Sequence, residues 1–145
     1  MAGKTHARWI RVSVGDASGN PQDISGDVTE VNIPIVYDDE DVTGFSDGVH
    51  NVEVGHPTME LTMSGVFNNT ATTGAHSVLS GIVGYVGANA PVTVTIQIGI
   101  RAAPTAGDPE FEGSYFCTEY TVNPDLTWGA TFKPGSGTAP AWGTV

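Results

Sequence analysis

The sequence predicts an all-β fold: a β-sandwich or barrel of about six or seven strands with one short peripheral α-helix. Three observations carry this reading. Apolar and polar residues alternate over several short runs, the period of two that a half-buried strand requires. Glycine (19) and proline (9) are plentiful and charged residues make up only 14% of the 145 positions, a balance that favours strands and turns over helices. Only one stretch switches to helical spacing, so no strand–helix–strand alternation arises. Residues 1–145 are read as a single β domain, long enough to bury a core without disulfides or metals.

The first strand falls at Arg8–Val14, with Ile10, Val12 and Val14 on one face and Arg11 and Ser13 opposite. Residues 15–21 read as a turn. A second strand covers 28–36, with Thr29, Val31, Ile33 and Ile35 sharing a face, and Pro34, which cannot donate to a ladder, marking an edge or a bulge. Residues 37–55 are rich in acid and glycine, interrupted by Val42, Phe45, Val49, Val52 and Val54. This longest loop is expected to act as a hairpin or arm that docks on a partner.

Residues 58–67 alternate again: Met59, Leu61, Met63 and Phe67 point inward, Glu60, Thr62 and Ser64 outward, and Gly65 marks a bulge or close backbone approach. Over 72–83 the spacing becomes helical through Ala75, Val78, Leu79 and Ile82, with Thr72 or Thr73 as the expected N-cap. The run 92–100 is the most regular strand, placing Val92, Val94, Ile96, Ile98 and Ile100 inward and Thr93, Thr95 and Gln97 outward. After a Pro/Gly connection, strands at 111–122 and 126–132 flank Asn123-Pro124-Asp125 as a hairpin. Residues 133–145 read as a flexible C-terminal arm in which Trp142 is a contact residue.

The formal charge is −11, from 16 acidic and 5 basic residues. Three of the five, Lys4, Arg8 and Arg11, fall in the first strand region. Tight nucleic-acid binding needs clustered cations that release counterions from phosphates, and a surface this acidic repels a polyanion instead. Cys117 is the only cysteine, which excludes an internal disulfide, and its strand context reads as a buried structural thiol. No segment has the roughly 20 apolar residues of a membrane span, and the N-terminal region lacks the apolar core of a signal peptide. Assembly in the cytoplasm is the expectation.

Chemistry-bearing patterns are sparse. His6, His50, His56 and His76 are dispersed, and the His50-x-x-Glu53-x-x-His56 spacing sits beside Gly55 and Pro57, so it reads as three polar loop residues. The run Asp38–Asp41 lacks the alternating ligands, central glycine and terminal glutamate of a calcium loop and reads as an acidic strip. Ser46, Ser64, Ser77, Ser80 and Cys117 have no nucleophile-elbow context. Gly81, Gly84 and Gly87 fit a helix exit better than a phosphate loop. Glu110 and Glu112 read as exposed strand-end carboxylates, and the sequon at Asn68 as idle. The sequence therefore nominates no catalytic residue, metal site or cofactor.

The order of motifs is more informative. Asp23-Ile24-Ser25-Gly26-Asp27-Val28-Thr29-Glu30-Val31 leads to Asp41-Val42-Thr43-Gly44-Phe45-Ser46-Asp47-Gly48, then Met59-Glu60-Leu61-Thr62-Met63-Ser64-Gly65-Val66-Phe67, then the helix. This succession resembles the tail tube proteins of long-tailed phages over residues 23–132. The resemblance implies a non-enzymatic virion protein of the phage tail, made in the host cytoplasm. It implies a hexameric ring whose sheets join around a lumen, with stacked rings conducting DNA as non-specific passing cargo. Implied partners are further copies of the chain and other phage structural proteins, with no membrane. Asp41, Val42, Phe45, Val49, Val52 and Trp142 then become assembly-interface candidates, and Glu60, Thr62, Ser64, Thr93, Thr95 and Gln97 lumen-facing candidates. Two other readings stay open: a capsid decoration or cement protein of similar fold, and a small carbohydrate- or partner-binding β module.

Overall fold

In the computed structural model, which describes residues 7–100 and 102–145, the alternating runs become ten strands in two sheets, with one α-helix among the described residues. Lys4 and His6 lie outside the described residues. The strands are β1 (Ile10–Gly15), β2 (Pro21–Asp23), β3 (Val28–Asn32), β4 (Val36–Asp41), β5 (Val52–Thr58), β6 (Leu61–Val66), β7 (Val92–Ile98), β8 (Pro109–Val122), β9 (Thr127–Pro134) and β10 (Ala141–Thr144), and the helix is α1 (Ala75–Ile82). The all-β reading with a single helix holds. The count exceeds six or seven because pieces expected as turn, loop and tail are themselves strands: β2, the β4–β5 pair and β10.

The main sheet runs β2-β1-β7-β8-β9-β6-β3, with β10 beside β8. Every neighbouring pair in that order is antiparallel. The 14-residue β8 is the spine. Its first half pairs with β7 through Glu110–Tyr115 and with β10 through Pro109–Glu112; its second half pairs with β9. One face of this sheet carries the core: Val12 and Val14 of β1, Leu61 and Met63 of β6, Val94 and Ile96 of β7, Phe111, Tyr115 and Cys117 of β8, and Trp128 and Phe132 of β9 are all buried. Full burial of side chains of this size stabilises by about 1.5–3 kcal/mol each before entropy is charged against it.

Helix α1 closes the core with Ala75, Val78, Leu79 and Ile82, all buried, which is the spacing the sequence showed. Its cap differs from the expectation. Thr72 has a positive φ of 68° and cannot begin a helix, and the N-cap is Gly74, which has no side chain to offer. Asp27, distant in sequence, supplies the missing acceptor: its carboxylate receives the Ala75 N–H at 3.1 Å and the Asn68 side-chain amide at 3.0 and 3.1 Å. The helix leaves through Gly84, whose positive φ of 70° turns the chain so that its N–H meets the Cys117 carbonyl at 2.9 Å.

The sheet is rolled but not closed, so the barrel alternative is corrected. A short 3-10 turn, Ser25–Asp27, carries the chain from β2 at one margin to β3 at the other. The Ser25 hydroxyl accepts the Val12 N–H at 2.8 Å and holds that turn against β1. A hollow of about 90 Å³ remains between the margins, lined by Ile10 and Val12 on one side and Val28 and Val31 on the other.

Other differences have local causes. The second strand stops at Asn32, and a bulge places Val28 opposite Gly65 and Glu30 opposite Ser64. Thr29 is thereby the extra residue and is exposed, while Val28 and Val31 pack on the core. Gly65 is required at this point, because a Cβ there would overlap the Asp27 carbonyl. β7 ends at Ile98, and Ile100, expected inward, is exposed. Residues 141–144, expected within a flexible arm, pair with β8 as β10.

Candidate functional site

Two surfaces stand out, and each follows from strand alternation. The first is the sheet face opposite the core. The register aligns Arg11, Gln97 and Glu110 in one row and Ser13, Thr95 and Glu112 in the next. Thr93 lies opposite Ser114, and Thr62 opposite Thr131. Every one of these positions has a buried core residue next to it on its strand, so the pleat turns its side chain away from the core. Gln97 donates its side-chain N–H to Glu110 Oε2 at 2.7 Å, tying two of the rows together.

The predicted outward residues therefore fall on one face. Thr62 and Ser64 lie on β6 and Thr93, Thr95 and Gln97 on β7, with β8 and β9 between. Glu60 sits just before β6. Sequence reasoning missed the middle of this surface: Glu110 and Glu112, read as strand-end carboxylates, occupy its centre with Ser114 and Thr131. The signal was the inward set Phe111, Tyr115 and Cys117, which leaves Glu110, Glu112 and Ser114 facing the other way. Along with these residues the face carries Asp23, Glu30 and Glu119, against two cations, Arg11 and Lys133, among the described residues.

The second surface is the β4–β5 ribbon. Residues expected as one long loop form a separate two-stranded sheet, paired from Val36 opposite Thr58 to Asp41 opposite Val52. Every residue of β4 is exposed. Between 36 and 58 there are six acidic residues and no lysine or arginine. Glu40 lies directly across from Glu53, a like-charge juxtaposition that costs a ribbon stability.

The ribbon tip is ordered by its own polar groups. Asp41 accepts from the Thr43 hydroxyl and from the Thr43 N–H at 2.9 Å. These bonds, helped by His50 at 3.7 Å, hold the Asp41 carboxyl below its ordinary pKa. The Thr43 hydroxyl in turn accepts the Asn51 N–H at 2.8 Å, and Asp47 accepts the Gly44 N–H at 2.7 Å. Phe45 protrudes from this frame with a relative exposure of 115%.

Of the interface candidates, Asp41, Val42, Phe45, Val49 and Val52 are brought together on the ribbon, all exposed. Trp142 is not with them. It lies on β10 opposite Phe111, with ring centroids 5.4 Å apart, and is partly covered by its own chain. His50 and His56 also lie on the ribbon, and among the described residues no group of three or more His, Cys, Asp or Glu is placed to share a metal. Cys117 is buried, and desolvation pushes its thiol up to about 11. Among the described residues, no helix is long and apolar enough to cross a membrane.

No family model matches the chain, and no curated protein matches its sequence. Solved structures do. The chain superposes with a TM-score of 0.63 at 17% identity on one from the sheath–tube complex of an extracellular contractile injection system in the extended state, covering 100% of this chain and 95% of that one. The fold is that of phage-like tail and injection-system components. A chain of the virion of a native gene transfer agent particle gives 0.62 at 15% identity, with 98% and 99% covered. One from the anti-feeding prophage baseplate gives 0.61 at 8%, with 100% and 97% covered. The likeness of fold thus spans the described residues from end to end, the ribbon and β10 included.

Proposed function

We propose that the chain is a tail tube subunit: a non-enzymatic structural protein of a phage-like particle, whose copies join into rings that stack around a DNA-conducting bore. The observation that carries this reading is the end-to-end match of fold with chains of tail and injection assemblies. Three features of the molecule support it. The sheet stays open, with β2 and β3 as its outermost strands, and unpaired strand edges are what neighbouring copies can complete. The ribbon leaves Phe45, Val49, Val52 and Val54 exposed, a use of apolar surface that suits a protein interface. The face of hydroxyls, Gln97 and carboxylates suits a bore, because a passing phosphate meets like charge or a neutral group and finds few cations to hold it.

On this reading the protein resides in the virion tail after assembly in the host cytoplasm, its partners are itself and other tail components, and it needs no cofactor. Electron microscopy of the purified chain and of the particle tests it. Rings or tubes are expected. Trimers seated on a capsid surface would replace the reading with a decoration protein, and a chain that stays monomeric and is absent from particles would end it.

A further inference from the structure

The ribbon carries charge that its own chain leaves unneutralised. Glu40 and Glu53 face each other across β4 and β5, with Asp38, Asp39, Asp41 and Asp47 beside them. The only ion pair the ribbon makes among the described residues is His50 with Asp41 at 3.7 Å. An acidic ribbon with a cross-strand carboxylate pair is stabilised by any surface that presents cations to it.

One such surface is present. A hollow of about 270 Å³ is lined by Arg8, Trp9, Arg11, Ala103 and Pro104, together with Asp23. The Arg8 guanidinium lies 4.2 Å over the Trp9 ring, which leaves its planar fork free to pair with carboxylates. Arg11 has only a long contact to Asp23, Nε to Oδ2 at 3.9 Å, with both side chains about half exposed (48% and 58%), a pairing worth little in water. The third cation described, Lys133, lies on β9.

Strand direction places the two surfaces. Because every step from β1 to β3 across the sheet is antiparallel, β1 starts at the same end of the sheet at which β3 stops and β6 starts. The ribbon thus leaves from that end at the β3 margin, and the Arg8–Arg11 hollow sits at that end at the β1 margin. Within one chain the two make no ion pair among the described residues. A second copy set beside the first can present its hollow to the first copy's ribbon. Each copy then gives one ribbon and receives one, the head-to-tail arrangement that propagates.

We propose that the acidic ribbon of one copy docks in the Arg8–Trp9–Arg11 hollow of the next. This rests on the assembly reading above and names the acceptor within it. The test is a charge swap between two full-length variants, Arg8→Glu with Arg11→Glu, and Asp38→Lys with Asp39→Lys, Glu40→Lys and Glu53→Lys, all six at exposed positions, the second leaving the ribbon two acids against four lysines. Circular dichroism and thermal melting establish that both are folded, and analytical ultracentrifugation and microscopy read assembly. Each variant alone is expected to need at least tenfold more protein than wild type to assemble, and an equimolar mixture to recover assembly, because every ribbon then meets a hollow of opposite sign. Wild-type assembly should also weaken as sodium chloride rises. Either folded variant assembling alone at the wild-type concentration, or a mixture no better than its parts, overturns the acceptor and leaves the tube reading standing. Failure of the wild type to assemble at all overturns the tube reading, and the acceptor with it.

Discussion

Asp27 links three parts of the molecule, and its removal has a calculable cost. The Asp27→Ala change deletes the acceptor for the first N–H of α1, Ala75, and the partner of the Asn68 amide. Loss of an N-cap acceptor costs about 1 kcal/mol. The Asn68 bond is charge-assisted and part-buried, worth about 1.5 kcal/mol at the lower end of its class. No other side chain caps the helix, so the sum is about 2–3 kcal/mol. For a chain of this size each kcal/mol moves the melting temperature by about 4 °C, which gives a fall of about 8–12 °C by circular dichroism or calorimetry. Asp27→Asn keeps an acceptor for the Ala75 N–H and should recover about half. A double-mutant cycle with Asn68→Ala should show coupling of about 1 kcal/mol. A melting temperature within about 2 °C of wild type for Asp27→Ala, or no advantage of Asn over Ala, would refute the cap assignment.

Other consequences follow from single sites. The Tyr115 hydroxyl is buried without a hydrogen-bond partner among the described residues, and desolvation pushes it up to about 12, so Tyr115→Phe should raise stability by about 1 kcal/mol in denaturant titration; a loss of stability would mean the hydroxyl is satisfied. Cys117, raised to about 11, should be roughly one thousandth thiolate at pH 8 and resist alkylation in the native protein while reacting at once in urea; rapid native labelling followed by mass spectrometry would contradict its burial. Replacing residues 38–55 with a short Gly-Ser turn should leave a folded monomer that cannot assemble, because the ribbon is a sheet of its own; normal rings from this variant would remove the ribbon from the interface. Thr95→Lys with Glu112→Lys should convert the outward face into one that retains DNA at low salt, with up to about two added phosphate contacts per copy and a salt slope near −2; strong DNA retention by the wild type would refute the bore assignment.

How much of this was legible depended on whether the deciding contact was local. β1, β6, β7 and the β8–β9 hairpin follow from alternation, and α1 from Ala75, Val78, Leu79 and Ile82, because a two- or four-residue period is written along the chain itself. The cap of α1 was misplaced because its acceptor, Asp27, lies 48 residues away, whereas Thr72 and Thr73 were near and of the right type. Thr29 was put on one face with Val31 because a bulge shifts the register without changing composition. β10 reads as Gly- and Pro-flanked tail until the edge of β8 is there to receive it. Residues 37–55 were read as one long loop acting as a hairpin or arm, but the strands within it were not placed, since acidic residues are poor strand formers and only the pairing of β4 with β5 reveals them.

The distribution of acid sharpens the functional argument beyond the net charge. No acidic residue occurs between Glu60 and Asp108, a span that includes α1 and β7. A protein that needed charge only for solubility would spread it over every exposed element, yet the helix carries none. The carboxylates gather on the ribbon, where no lysine or arginine balances them, and around Glu110 and Glu112 on the outward face. On the ribbon they sit with Phe45 and Val49, a pairing of apolar anchor and charge that a cationic hollow such as Arg8–Arg11 can satisfy. On the face they sit with Thr93, Thr95, Ser114 and Thr131, where no anchor accompanies them. The same side-chain chemistry is thus set in two contexts, one suited to being gripped by a neighbour and the other to letting a polyanion pass.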